Sequence, residues 1–210
     1  MLGPGGVQCQ SRPVLLLRVI IIGISTWLLK NMKPGLTIAL LALFSLFLLR
    51  SLSFYDAGMQ QKIIVYNIPG STAVEFVRGR RTIMIADDGV ENNSSLIQFH
   101  INPSRILHRI SDIYIPPSGD SDNFAWLTHR KKILVLRNPV ELRTRTDVVV
   151  ICGNPAGKIS NLISGKLPSL IEFDSSNSRR RIKAWIEECR DLELACFSVA
   201  DEGAFVMNLN

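Results

Sequence analysis

The sequence predicts an α/β protein: a two-helix transmembrane hairpin followed by a layered α/β domain. Three observations carry this. Two long apolar runs, Val14–Leu29 and the uncharged Pro34–Leu49, stand near the amino terminus. Residues 1–55 hold five basic residues (Arg12, Arg18, Lys30, Lys33, Arg50) and no acidic one, whereas the rest is balanced at 19 Lys/Arg against 18 Asp/Glu. Beyond residue 60, short strand patterns give way to alternating strand and helix patterns, the signature of a layered α/β domain.

The first helix is read at about 13–29, with Pro13 and Arg18 near one end and Trp27 near the other, where interfacial residues belong. The second is read at about 34–54. At 1.5 Å per residue it is roughly 30 Å long, the thickness of a bilayer core. A signal peptide would carry a short apolar region and a cleavage site, then a soluble domain. A second apolar run follows here after only a few residues, which favours the hairpin. Residues 1–55 are therefore the membrane segment, 56–61 a linker and 62–210 a folded domain.

In that domain Lys62–Ile68, Ala73–Val77 and Thr82–Ala86 read as a meander, with Pro-Gly and Arg78-Gly-Arg-Arg81 at its turns. Helices follow at Asn92–His100 and Pro103–Ser111. Short strands at Asp112–Ile115 and Phe124–Leu127 flank the polar loop Pro116–Asn123, and Lys132–Leu136 is another strand. Val148–Cys152 is a buried strand, Lys158–Ser164 a short helix and Ser169–Phe173 a strand. The helix Ser178–Arg190 is capped by Ser176 or Asn177 and places Ile182, Trp185, Ile186 and Cys189 on one face. Leu194–Val199 and Ala204–Leu209 close the domain as strands.

Charge and motif spacing exclude several functions. The net charge of +6 belongs almost wholly to the membrane segment, so the domain lacks a global footprint for nucleic acid. Cys9, Cys152, Cys189 and Cys196 form no C-x-x-C pair, and His100, His108 and His129 form no metal-binding run. Cys189 and Cys196 meet only if the last helix and strand pack together, and spacing does not establish a disulfide. The stretch Val149–Ser160, VVICGNPAGKIS, imitates a phosphate loop, but one residue is missing between Gly153 and Gly157. Ile159 stands where the Mg²⁺-binding hydroxyl belongs, and Pro155 removes a donor, so no nucleotide and no other cofactor is expected.

The order of these elements behind membrane helices resembles the carboxyl-terminal end of the ComEC family, bacterial proteins that move transforming single-stranded DNA across the cytoplasmic membrane. KIIVYNIPGSTAVEFVRGRRTIMIADDG takes the place of the family's opening meander ending in D-x-G. VVICGNPAGKIS matches the later strand and turn, typically S-H-H-G-S, and RRRIKAWIEECRDLELACFSVADEGAFVMNL matches the closing helix and strands. With VYNIPGSTA, INPSRILHRI and DEGAF, the form is closest to a reduced version resembling sequences of the Bacteroidetes group.

The resemblance implies a reduced metallo-β-lactamase-like domain whose metal site has gone, because Gly153-Asn154-Pro155 stands where the intact domain supplies ligand histidine. It also implies a fragment, or a split or truncated gene product, without the channel part. The expected function is a non-catalytic, membrane-anchored terminal module for DNA uptake, in the bacterial inner membrane, with the domain on the extracytoplasmic side. Expected partners are the bilayer, single-stranded DNA and the remaining channel part of a ComEC-like protein. The rival readings are a membrane-tethered metal-dependent hydrolase using Asp87, Asp88 and His100 or His108, and a structural membrane protein with a partner-binding domain. Candidate phosphate contacts are Arg179, Arg180, Arg181 and Lys183 at the start of the last long helix. Arg78, Arg80 and Arg81 with Arg130, Lys131 and Lys132 extend such a patch only if folding unites them, with Phe124 and Trp126 as stacking candidates.

Overall fold

The computed structural model describes residues 5–30, 32–116, 123–128 and 130–209; Asn31, His129 and most of the loop read at Pro116–Asn123 lie outside them. The chain divides into two compact units, Met1–Gly58 and Met59–Asn210.

The first unit is a pair of helices, α1 (Gly5–Lys30) and α2 (Lys33–Met59). Both exceed the bounds of about 13–29 and 34–54 read from the apolar pattern. Pro13, expected to open the first helix, lies inside it. The second absorbs most of the 56–61 segment expected as a linker, because Ser51–Met59 contains neither proline nor a β-branched residue to stop it. Both helices are long and apolar enough to cross a membrane, with mean hydropathies of 1.8 and 2.0. They expose what a core helix would bury: Leu29 is 85% and Phe47 68% accessible. The hairpin closes on small residues. A Cβ placed on Gly23 would lie 2.7 Å from the Gly35 carbonyl oxygen, and one on Gly35 would lie 2.8 Å from that of Gly23. Backbones approach this closely only where side chains are missing.

The second unit begins with β1 (Gln61–Val65), β2 (Ala73–Arg78) and β3 (Arg81–Ala86). Short helical segments follow: α3 (Asp88–Glu91), α4 (Ser94–Leu96), a π-turn (Ile97–Ile101) and α5 (Asn102–Leu107). Next come β4 (Asp112–Tyr114), β5 (Phe124–Leu127), β6 (Lys132–Leu136), β7 (Val140–Leu142) and β8 (Val148–Ile151). The remainder is α6 (Ile159–Leu162), β9 (Ile163–Gly165), β10 (Leu170–Phe173), α7 (Arg179–Asp191), β11 (Ala195–Ser198), α8 (Val199–Glu202) and β12 (Phe205–Asn208).

Two five-stranded sheets form, ordered β12-β1-β2-β3-β4 and β11-β10-β8-β6-β5, with β7 and β9 as a separate pair. The first sheet is antiparallel apart from the parallel β3–β4 pair; the second is parallel except for β5. The inner faces pack together through Ile63, Val65, Val74 and Phe76 against Val135, Val148, Val150 and Cys152. The other face of the parallel sheet carries α6 and α7 on Val149, Ile151, Ile171 and Phe173, with Trp185 stacked 5.4 Å from Phe173. The other face of the antiparallel sheet is covered by the short helices through Val90 and Ile101. This gives four layers, helix-sheet-sheet-helix. Burial of each such apolar side chain contributes about 1.5–3 kcal/mol.

Alternation in β2 puts Glu75 on the helix-covered face, fully buried. Arg105 of α5 pairs with it at 2.6 Å, and the Tyr66 hydroxyl donates to its other oxygen at 2.7 Å. Burial and the Glu75 charge push the Tyr66 hydroxyl pKa well above its ordinary value. β7 and β9 were not legible as strands; they pair only because Val140 meets Ile163.

Candidate functional site at the carboxyl ends of the parallel strands

Strands β6, β8 and β10 run in parallel and end together, so Arg137, Cys152 and Asp174 emerge at one mouth of the sandwich. Asp87, which follows β3, and Thr72, which precedes β2, reach the same mouth from the other sheet. Ligands commonly bind just outside the carboxyl ends of such strands.

Asp87 joins the sheets. Its Oδ1 accepts from Arg137 at 3.0 Å, with the Arg137 side chain only 8% exposed, and its Oδ2 accepts the Thr72 N–H at 2.6 Å. Asp174 is buried, and its Oδ1 accepts from the Ser176 N–H (3.1 Å), the Ser176 hydroxyl (2.5 Å) and the Asn177 amide (2.8 Å). Its Oδ2 and the buried Thr72 hydroxyl make no hydrogen bond of good geometry among the described residues. The hydroxyl is nonetheless close enough to favour the ionised acid. Burial dominates and lifts Asp174 to about 7 against this hydroxyl and the Ser176 donors.

Glu172, two residues earlier, lies on the same sheet face. It is fully buried, neither oxygen has a hydrogen-bond partner among the described residues, and desolvation followed by the Asp174 charge pushes its pKa well above the usual range. Cys152 is also buried; burial and then Asp174 hold its thiol protonated. The mouth thus contains two acids whose ionisation is opposed by burial and one carboxylate paired with an arginine.

The Gly153–Gly157 loop folds over this mouth and uses its own polar groups. The Gly153 N–H donates to Ser176 Oγ (2.7 Å) and that of Asn154 to Asn177 Oδ1 (3.0 Å). The Ile159 and Ser160 N–H groups both donate to the Glu188 carboxylate, at 2.8 and 3.0 Å. Burial works against the ionised Glu188, but these donors, the Ser160 hydroxyl and Lys158 pull its pKa below the usual range. Four peptide donors in and just after the loop, those of Gly153, Asn154, Ile159 and Ser160, are thus occupied by side chains.

The residues singled out in the sequence separate. Arg179, Arg180 and Lys183 are exposed on α7, whereas Arg181 donates to the carbonyls of Asn154 and Pro155. The Arg181 charge is therefore spent in positioning the loop. Asp88 is exposed in α3 and His100 in the π-turn. His108 lies at the other end of β3, roughly 17 Å from Asp87 at 3.3 Å per residue. There its Nδ1 stands 3.1 Å from Lys62 Nζ, and burial followed by Lys62 lowers its pKa. The fold does not unite His108 with Asp87 and Asp88. Among the described residues, no group of three or more His, Cys, Asp or Glu is placed to hold a metal ion.

Sequence reasoning missed Arg137, Asp174 and Thr72. Asp174-Ser-Ser-Asn177 after an apolar strand was a usable signal for a side-chain-bonded turn; Arg137 gave none.

The family model of the ComEC C-terminal domain matches residues 63–209. No curated protein and no solved structure matches the chain. The matched region covers nearly all of the second unit, from β1 through β12. The chain belongs to the ComEC family.

Proposed function

We propose that this chain is a non-catalytic, membrane-anchored terminal module of a ComEC-like DNA-uptake protein, built on a reduced metallo-β-lactamase-like domain. The match to the ComEC C-terminal domain carries the reading. The helix-sheet-sheet-helix layering supports the lactamase-like assignment, and two lipid-compatible helices support the anchor. At the turn after β8, Asn154 spends its side chain on the Ser178 N–H at 3.1 Å, and Pro155 offers no ligand atom. Zinc hydrolysis needs several His and carboxylate ligands around an open position. The module then serves by position and contact within the uptake machine.

Two measurements test this together. Deleting the gene in its host lowers natural transformation at least about tenfold, while the purified chain with added Zn²⁺ or Mn²⁺ cleaves no phosphodiester. Metal-dependent cleavage that is lost on replacing Asp87 or His108 overturns the non-catalytic assignment. Unchanged transformation overturns the uptake assignment.

A further inference from the structure

At the mouth opposite Asp87 and Asp174, the two sheets end in the edge strands β4 and β5. A groove of about 310 Å³ opens there. Its floor is the buried ring of Phe76, with Trp126 of β5 stacked on it at 5.2 Å between ring centres and 25° between planes. Tyr114 of β4, 57% exposed, and Ile83 line it further, and Arg78 and Arg81 stand at its rim. A second hollow of about 320 Å³ continues it, sharing Arg78 and Trp126 and adding Gln61, Leu127 and Thr128.

The charge at this mouth is one-sided. The Arg78 side chain is exposed and makes no hydrogen bond or ion pair with another side chain among the described residues. Among the described residues the Arg81 side chain pairs with Asp112, at 3.4 Å, with both side chains largely in solvent, a contact worth little. Among the described residues, Asp112 is the one acidic residue lining either hollow. The first residue of β6 adds another cation, Lys132, exposed and opposite Leu127 in the ladder. The fold has thus brought Trp126 to Arg78 and Arg81, which lie far from it in sequence.

We propose that this groove binds single-stranded nucleic acid, a base lying against Trp126 and Tyr114 and the flanking phosphates meeting Arg78 and Arg81. Aromatic faces beside cations are the arrangement that holds unpaired bases without reading their order. A duplex keeps its base faces stacked internally and cannot offer them to Trp126. Stacking and phosphate contacts are blind to base identity, so binding is tolerant of sequence and falls with salt. The proposal rests on the DNA-uptake reading only for the biological source of the strand.

The test titrates the full chain, in detergent, with an oligothymidylate of about twenty nucleotides. Tryptophan fluorescence is quenched on binding, and affinity decreases as salt rises. Trp126→Ala weakens binding about tenfold, as the loss of one stacked base predicts. Arg78→Glu weakens it comparably without touching the core. Trp126→Phe retains binding but loses most of the quenching, which separates stacking from a folding defect. Wild-type binding that these variants leave unchanged overturns the groove while sparing the uptake reading. No binding by the wild type also overturns it, and the transformation assay still decides the uptake reading. Quenching by anionic-lipid vesicles but not by the oligonucleotide overturns it in favour of a lipid surface.

Discussion

Asp87 and Arg137 clasp the two sheets of the domain at one mouth: the carboxylate that ends β3 lies 3.0 Å from the guanidinium that follows β6. The same carboxylate also takes the Thr72 N–H, so one side chain organises three segments. Asp87→Ala leaves a buried guanidinium with one strong acceptor fewer and costs about 2 kcal/mol. Urea unfolding followed by far-ultraviolet circular dichroism measures it. A variant unfolding at the wild-type midpoint would remove the clasp from the account.

Asp174 makes stability depend on pH in a definite sense. Its folded pKa of about 7 lies above the ordinary 3.8, so the folded state holds a proton that the unfolded state has released. The contribution is fully present below about pH 4 and lost as pH rises through about 7, up to about 4 kcal/mol in all. Asp174→Asn keeps an acceptor for Ser176 but cannot ionise. The wild type should therefore lose ground to this variant steadily between pH 4 and 8, and parallel stability curves would refute the assignment.

The thiols report the same burial by reactivity. Cys152 is fully buried and held protonated, and burial with the neighbouring Cys196 pushes the Cys189 thiol up to about 12. Because the thiolate is the nucleophile, neither should react with iodoacetamide at pH 8 in the native protein, and both should react in urea. Mass spectrometry of the labelled peptides distinguishes the sites. Rapid native labelling of Cys152 would show that the mouth opens.

Nucleotide should not bind at the Gly153–Gly157 loop: its Gly153 and Asn154 N–H groups are taken by Ser176 and Asn177, Pro155 has none, and just beyond it Glu188 takes those of Ile159 and Ser160. Calorimetry with ATP and Mg²⁺ is expected to show no heat of binding. ATP binding that disappears on Lys158→Ala would contradict the geometry.

The domain is expected on the extracytoplasmic side, with the turn at Lys30 and Lys33 in the cytoplasm. Charge alone nearly balances, since Arg12, Arg18 and Arg50 oppose those two lysines; the family resemblance decides. Paired reporter fusions after Asn210 read it directly. Strong activity of a cytoplasm-only reporter beside a silent periplasm-only one would reverse the assignment.

What the sequence revealed follows from the range of each interaction. The helices, the β1–β3 meander and α7 announce themselves through local periodicity, so the class and order of elements could be read in advance. β7 and β9 could not, because Val140 and Ile163 become strand residues only through each other. The mouth was half legible: Asp87 stood out at a strand end, but its partner Arg137 is fifty residues away and carries no motif. Arg181 misled for a related reason, since it looks like a surface cation until the Asn154 and Pro155 carbonyls are seen to face it.

The pairing of β1 with β12 governs how this domain can come into being. β1 follows directly from α2, yet Lys62 lies opposite Asn208 and Val65 opposite Phe205. During synthesis β1 therefore waits, one hydrogen-bonding edge open, until residues 205–208 have been made. Such late, long-range pairing is slow and leaves an adhesive edge in the interim. Loss of only the final strand would strip the cover from β1, so a premature stop near Phe205 should be far more damaging than its few missing residues suggest.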